Sequence, residues 1–207
     1  MSSEVKGSIP EASLYDKWYT PGRWNAMTIR SLAIGQGEIE ATPLQMANLC
    51  ALIANRGYYI TPHIVRAIQD TNRVDRQLSF EKKVVNISPE HFNTVIDGMQ
   101  AVVDETRTLG ATVHLDDIII CGKTGTVQNP HGADHSAFVG FAPRENPKIA
   151  VAVFIENAGF GATYAAPIAG LLIEKYLNDS IVPKRKDLEQ RLIETDLLNV
   201  AVVKKKP

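Results

Sequence analysis

Apolar residues recur at helical spacing in three stretches of the chain and gather into strand-like runs in five others. Thr42-Pro43-Leu44-Gln45 spells a capping box with proline at the first helical position, and Leu44, Ala47, Leu49, Leu52 and Ile53 follow before Gly57. A helix is predicted over about 43–56. Tyr58 to Ile68 and Val84 to Ile87 are rich in aromatic and β-branched residues and read as strands around a charged connection. Ser88-Pro89 then opens a second helix, to about Glu105, with Phe92, Val95, Ile96, Met99, Val102 and Val103 on one face. Three strand runs follow: Asp117 to Gln128, Ser136 to Ala142 and Lys148 to Glu156. Only Pro143 to Pro147 separates the last two, which predicts a hairpin. A turn with Gly159 and Gly161 leads to a third helix over about 163–178, whose predicted buried stripe is Ala166, Ile168, Ala169, Leu172, Ile173 and Tyr176.

The two ends lack such periods. Residues 1–27, with Pro10, Pro21, Gly22, Trp18, Tyr19 and Trp24, read as an extended arm whose aromatics lie on a surface. A stacking platform for a sugar or nucleic acid is the rival reading of these aromatics, and the lack of basic surroundings favours packing. Residues 28–180 carry the folded body, and 181–207 read as a C-terminal tail with a short helix to about 195 and a solvated Lys204-Lys205-Lys206 end.

Composition narrows the classes. The 207 residues are 44% hydrophobic and 22% charged, with 14 Gly and 11 Pro, near globular averages, which excludes disordered, collagen-like and coiled-coil chains. A formal net charge of −1 supplies no field to hold a nucleic acid or an anionic membrane. Cys50 and Cys121 are too few for a disulfide framework or a cysteine-rich zinc site and read as buried thiols. No apolar run approaches the roughly 18 residues of a membrane span, and Met1 to Gly7 lacks the features of a signal peptide, so the chain as written reads as soluble.

The sharpest chemical feature is Lys123-Thr124-Gly125-Thr126, directly after the apolar run Ile118 to Cys121. Lysine brings a fixed positive charge, threonine hydroxyls donate to a carboxylate, and glycine lets another backbone approach. Such a strand suits an extended anionic ligand, including a peptide added to a free edge. A lone Lys-Thr-Gly arises by chance in roughly one chain in twenty of this length. Its weight comes from context: a strand before it, an antiparallel hairpin after it and a closing helix, as serine acyl-transfer enzymes require.

Several stretches together carry a resemblance. Ala33-Ile34-Gly35-Gln36-Gly37-Glu38, Ala41 to Ala47, Gly122-Lys123-Thr124-Gly125-Thr126, Phe138-Val139-Gly140-Phe141-Ala142-Pro143 and Ile155-Glu156-Asn157 closely resemble the C-terminal half of the transpeptidase domain of class B penicillin-binding proteins, nearest the elongation enzymes among them. The likeness covers about residues 28–178. It implies an α+β, β-lactamase/transpeptidase-like fold with an antiparallel sheet packed against helices, here as a partial domain. It implies peptidoglycan cross-linking by D,D-transpeptidation, with the stem peptide and β-lactam antibiotics as ligands and no cofactor or metal. By the family's pattern Lys123 lies beside the catalytic serine, assisting proton transfer and carboxylate binding, and Thr124 and Thr126 hold the carboxylate. The Thr126 N–H is one of two oxyanion-hole donors, and Gly125 keeps the strand flat for the incoming peptide. The parent protein would work at the periplasmic face of the bacterial inner membrane.

The family's Ser-x-x-Lys nucleophile and Ser-x-Asn motif precede the Lys-Thr-Gly strand, and this chain departs from that pattern. Ser79-Phe80-Glu81-Lys82 and Ser3-Glu4-Val5-Lys6 match the first spelling, but a serine and its lysine base need one helical face in a buried pocket. Ser-x-Asn does not occur. The expectation is therefore a chain that supplies the substrate-binding strand without the nucleophile, is inactive alone, and is completed by the upstream half of the same domain. The rivals are a non-catalytic sensor or scaffold module and a β-lactamase. His131 and His135 offer a weaker zinc hypothesis, opposed by a loop position without fixed geometry. Cys121, two positions before Lys123 and so on the same strand face, invites a nucleophile reading against that of an inert core thiol.

Overall fold

The computed structural model describes residues 5–69 and 75–198. The chain divides into two compact units, Met1–Gln45 and Met46–Pro207. The boundary falls later than the arm-to-body transition expected at 27/28, because the structured N-terminal residues pack among themselves.

The N-terminal unit corrects the extended-arm reading. Helix α1 spans Ala12–Tyr19, and its buried residue is Tyr15, not one of the aromatics Trp18, Tyr19 and Trp24 that the sequence pattern emphasises. Tyr15 packs 6.3 Å from Trp18 and 5.3 Å from Trp24 between ring centroids, and its hydroxyl donates to Glu38 Oε2 at 2.8 Å. Trp24 Nε1 donates to Asp16 Oδ1 at 2.8 Å. The helix exists because tertiary contacts fix one face of an eight-residue stretch too short to hold by propensity alone. A 3₁₀ turn at Arg30–Ile34 ends at Gly35, whose φ of 73° suits a residue without a Cβ.

Helix α2, Pro43–Ala54, begins as predicted. The Thr42 N–H donates to Gln45 Oε1 at 2.8 Å, and the Gln45 N–H donates to Thr42 Oγ1 at 3.2 Å, the reciprocal bonds of a capping box.

The predicted strand over 58–68 is instead two. Strand β1, Tyr58–Ile60, pairs with β4, Lys82–Val84, and β2, Ala67–Gln69, pairs with β3, Asp75–Gln77. Pro62 interrupts the ladder because it has no N–H to donate. Strand β4 lies earlier than the apolar run at 84–87, because Lys82 and Lys83 stack their ammonium groups over Tyr58 and Tyr59, at 4.4 and 5.9 Å from the ring centroids.

Helix α3, Pro89–Glu105, buries Phe92, Ile96, Met99 and Val103 and leaves Val95 half exposed. A short helix α4, Arg107–Thr112, follows in a stretch for which the pattern predicts no element, and buried Leu109 anchors it. Six residues containing Gly110 show no period to read.

Strands β5 (Cys121–Val127), β6 (His135–Ala142) and β7 (Ile149–Ile155) form an antiparallel sheet in that order, with the predicted hairpin between β6 and β7. The first strand is shorter than the run at 117–128 because Leu115 and Ile118 bridge one another just before it. Helix α5, Ala165–Asn178, covers one sheet face, where Phe138 and Ala142 meet Ala165, Ala166, Ala169 and Ile173. On the other face Cys121 and Phe141 meet Cys50 of α2 and Phe92, Ile96 and Met99 of α3. These are the layers of an α+β domain.

The predicted stripe of α5 is partly corrected. Ala166, Ala169 and Ile173 are buried, but Leu172 and Tyr176 are 51% and 60% exposed, while Glu174 is fully buried. The chain after α5 folds back on it through a 3₁₀ turn, Pro183–Arg185, and helix α6, Lys186–Glu194. That return buries Ile181 and Arg185, so the stretch expected as a tail begins as part of the core. The Lys204–Lys206 end lies outside the described residues.

Candidate active site

Strand β5 is an outer strand of its sheet, and no strand pairs with its other edge among the described residues. Its register with β6 sets Lys123 opposite Val139, Thr124 opposite Phe138, Gly125 opposite Ala137 and Thr126 opposite Ser136. Because side chains alternate, Thr124 and Thr126 point to the face that carries α5, and Lys123 points to the face that carries α2 and α3. The ammonium of Lys123 is exposed and donates to the Thr124 carbonyl at 2.8 Å. Two threonines on one face and a cation folded back along the strand thus line a single stretch of backbone.

The apolar run before the motif serves as its footing. Cys121 is fully buried beside Phe141, and a Cβ on Gly122 would meet the Phe138 ring, 2.8 Å from Cε2. The strand thus leaves the interior at Gly122 and emerges at Lys123. Cys121 shares a face with Lys123, as its position two residues earlier requires, but lies in the core while Lys123 reaches solvent. Burial pushes its thiol up to about 11 and that of Cys50 to about 12, which keeps both protonated and removes Cys121 as a nucleophile near neutral pH.

Behind β5 lies the turn that begins α5. Gly161 sits over the Gly125–Ala137 pair so closely that a Cβ there would stand 2.5 Å from the Gly125 oxygen and 3.1 Å from its nitrogen. The Gly161 N–H donates to Thr126 Oγ1 at 3.5 Å. Ser136, fully buried, donates from Oγ to the Phe160 carbonyl at 3.0 Å and accepts the Ala165 N–H at 3.1 Å. The same turn is tied to the β5–β6 loop, with Asn129 Nδ2 donating to Asn157 Oδ1 at 2.7 Å and the Gly159 N–H donating to the Asp134 carbonyl at 2.7 Å. Ser136 and Gly161 were legible in the sequence only as strand and turn residues, and Asn157 only as part of a stretch that carries the resemblance, since their partners lie far along the chain.

The remaining candidates separate from this site. Ser79 is exposed in the connection before β4, and Lys82 turns to the Tyr58 ring, so they make no serine–lysine pair on a helix. Ser3 and Glu4 lie outside the described residues. Nδ1 of His135 accepts the Asn157 N–H at 3.0 Å, and no cluster of three or more His, Cys, Asp or Glu side chains that could hold a metal occurs among the described residues.

The penicillin binding protein transpeptidase domain matches residues 6–174, and the chain belongs to that family. It is 31% identical to the peptidoglycan D,D-transpeptidase MrdA of Haemophilus influenzae over all of its own length and 32% of that protein. Solved structures agree. The chain is 35% identical to Pseudomonas aeruginosa PBP2, with a TM-score of 0.70 over 86% of this chain and 39% of that one. It is 28% identical to penicillin-binding protein A of M. tuberculosis, solved as an imipenem acyl-enzyme complex, with a TM-score of 0.66 over 74% of this chain and 34% of that one. The chain spans about a third of the length of the curated relatives it matches.

Proposed function

We propose that this chain forms the substrate-binding side of a peptidoglycan D,D-transpeptidase of cell elongation, a serine acyl-transfer enzyme inhibited by β-lactams. The observation that carries the reading is the outer strand β5, which presents Lys123, Thr124, Gly125 and Thr126 in succession along an edge with no pairing strand among the described residues, in a member of this family. An extended stem peptide adds to such an edge by main-chain hydrogen bonds.

Each residue then has a task. Lys123 sets a positive charge beside the reacting serine, where it attracts the peptide's carboxylate and assists proton transfer. The hydroxyls of Thr124 and Thr126 donate to that carboxylate. The Thr126 N–H faces the attacked carbonyl, where it stabilises the negative charge that develops on its oxygen. Gly125 has no side chain to obstruct the incoming backbone. The serine and the Ser-x-Asn motif are assigned to the segment the family carries upstream, which makes that half of the domain the chain's macromolecular partner. Serine acyl transfer moves an acyl group and a proton, and asks for no cofactor.

β-Lactams enter the reading through the imipenem acyl-enzyme of the M. tuberculosis relative. The parent enzyme would work at the periplasmic face of the bacterial inner membrane. No helix among the described residues is long and apolar enough to cross a membrane.

Intact mass after incubation with a β-lactam tests the proposal, on this chain alone and mixed with the upstream segment. The expected adduct appears on the upstream segment, and only when both are present. A stable adduct on this chain alone would overturn the assignment of the nucleophile.

A further inference from the structure

We propose that Ser136 is a positioning residue for Thr126: by closing the turn that starts α5, its hydroxyl brings the Gly161 N–H onto Thr126 Oγ1 and fixes the direction in which that hydroxyl meets a substrate carboxylate. The inference rests on the reading of Thr126 as a carboxylate ligand.

The contacts run in one chain. Ser136 is opposite Thr126 in the sheet register and on the same face. Its single hydroxyl is used in both senses, donating to the Phe160 carbonyl and accepting the Ala165 N–H. The second bond substitutes for a helix cap, because Tyr164, at the N-cap position of α5, makes no side-chain cap of its own. Phe160 contributes little apolar anchorage to the turn, since its side chain is 70% exposed. The backbone at 160 is therefore held toward the sheet by a buried hydrogen bond, and Gly161 follows it onto Gly125.

The last link is the sensitive one. At 3.5 Å the bond from Gly161 to Thr126 Oγ1 stands at the long end of the hydrogen-bond range, where an outward shift of a few tenths of an ångström ends it. A threonine χ1 has few staggered wells, so an N–H that bonds the oxygen in one of them selects that rotamer. A hydroxyl oxygen that accepts from Gly161 has one lone pair committed to that bond, which sets the side of the strand on which the hydroxyl stands. A serine at 136 that served only to cap α5 would have no effect at Thr126.

The test begins with NMR on the full chain, reading χ1 of Thr126 from its three-bond couplings. The expected result is one rotamer in the native chain and averaging in Ser136→Ala, with a dispersed spectrum retained, and recovery in Ser136→Thr. Unchanged couplings in Ser136→Ala overturn the proposal. Should that variant fail to fold, Gly161→Ala displaces the same turn from the Gly125 side and is expected to average Thr126, and unchanged couplings there overturn it equally. Acylation by benzylpenicillin, measured with the upstream segment present, gives the second readout. Ser136→Ala is expected to raise the saturation constant about tenfold with the maximal rate unchanged, and to add nothing in a Thr126→Ala background. Additive losses overturn the coupling. Normal acylation by Thr126→Ala overturns the carboxylate role of Thr126 itself, a failure of the function reading that the couplings register separately.

Discussion

Arg185 stands against Glu174 in the interior, with Nη1 3.3 Å from Oε2. The carboxylate also accepts the Val182 N–H at 2.8 Å, and the guanidinium donates to the Thr112 carbonyl at 2.6 Å. Gly170 admits this arrangement, since a Cβ there would lie 3.1 Å from both Arg185 Nη2 and the Thr112 oxygen. One charge pair thus binds the C-terminal return to α5 and to the end of α4. Burial pulls the guanidinium below its ordinary value, and Glu174 opposes that pull.

Removing either partner alone strands the other charge in the core. Glu174→Ala and Arg185→Ala are each expected to cost about 3–5 kcal/mol in urea unfolding, and the paired replacement Glu174→Leu/Arg185→Met markedly less than their sum. A paired cost equal to the sum of the two single costs would show that packing, and not charge, holds this segment.

The two thiols tie stability to alkaline pH. Their ordinary value is 9.0, and the fold raises Cys50 to about 12, by burial first and the neighbouring Cys121 second, and Cys121 to about 11 by burial. Between about pH 9 and pH 12 the native chain holds more protons than the unfolded one, so this contribution is complete below pH 9 and lost as pH rises through that window. The urea midpoint is expected to fall from pH 8.5 to about 10.5, and to fall less in Cys50→Ala/Cys121→Ala. At pH 8 iodoacetamide should modify neither thiol until urea is added, which intact mass reads directly.

Gly122 tests the footing of the motif. Alanine there drives a methyl into the fully buried Phe138 ring. Gly122→Ala is expected to cost about 1–3 kcal/mol of stability, seen as a lower thermal midpoint. An unchanged midpoint would mean that Phe138 repacks freely.

Lys123 and Thr126 should fail in different kinetic terms. Thr126→Ala is expected to weaken the saturation constant for a carboxylate-bearing β-lactam by roughly 10- to 150-fold, the loss of a hydrogen bond to a charged group. Lys123→Ala is expected to lower the maximal acylation rate as well, by roughly 10²–10⁴ if it takes part in proton transfer. Stopped-flow acylation with the upstream segment present separates the two, and a Lys123→Ala effect confined to binding would leave only the carboxylate role.

Much of the fold was legible along the chain because local rules acted without competition. The capping box at Thr42, the run of Phe92, Ile96, Met99 and Val103, and the β6–β7 hairpin each combine a period with a stop signal, and each is present in the structure. The order of strand, hairpin and closing helix around Lys123 to Thr126 was legible for the same reason, and that order carried the family. Where a distant partner set the outcome, the local pattern misled: α1 exists through Tyr15 and its contacts, and Lys82 enters a strand through an aromatic ring.

The sequence by itself determined the chemistry on offer, a cation, two hydroxyls and a glycine in succession at the end of a buried run, since residue identity and adjacency need no fold to be read. Only the tertiary structure decided how those groups are aimed. The alternation of β5 sends Thr124 and Thr126 to one face and Lys123 to the other. Residues remote in the chain then set what backs each of them, with Ser136 and Gly161 behind Thr126 and the Cys50–Cys121 core beneath Lys123. The same holds for Glu174, which counts in the sequence as one more surface carboxylate and lies in the core because Arg185 returns to meet it. Contacts between residues far apart along the chain leave no local period, so their effects emerge only when the chain is folded.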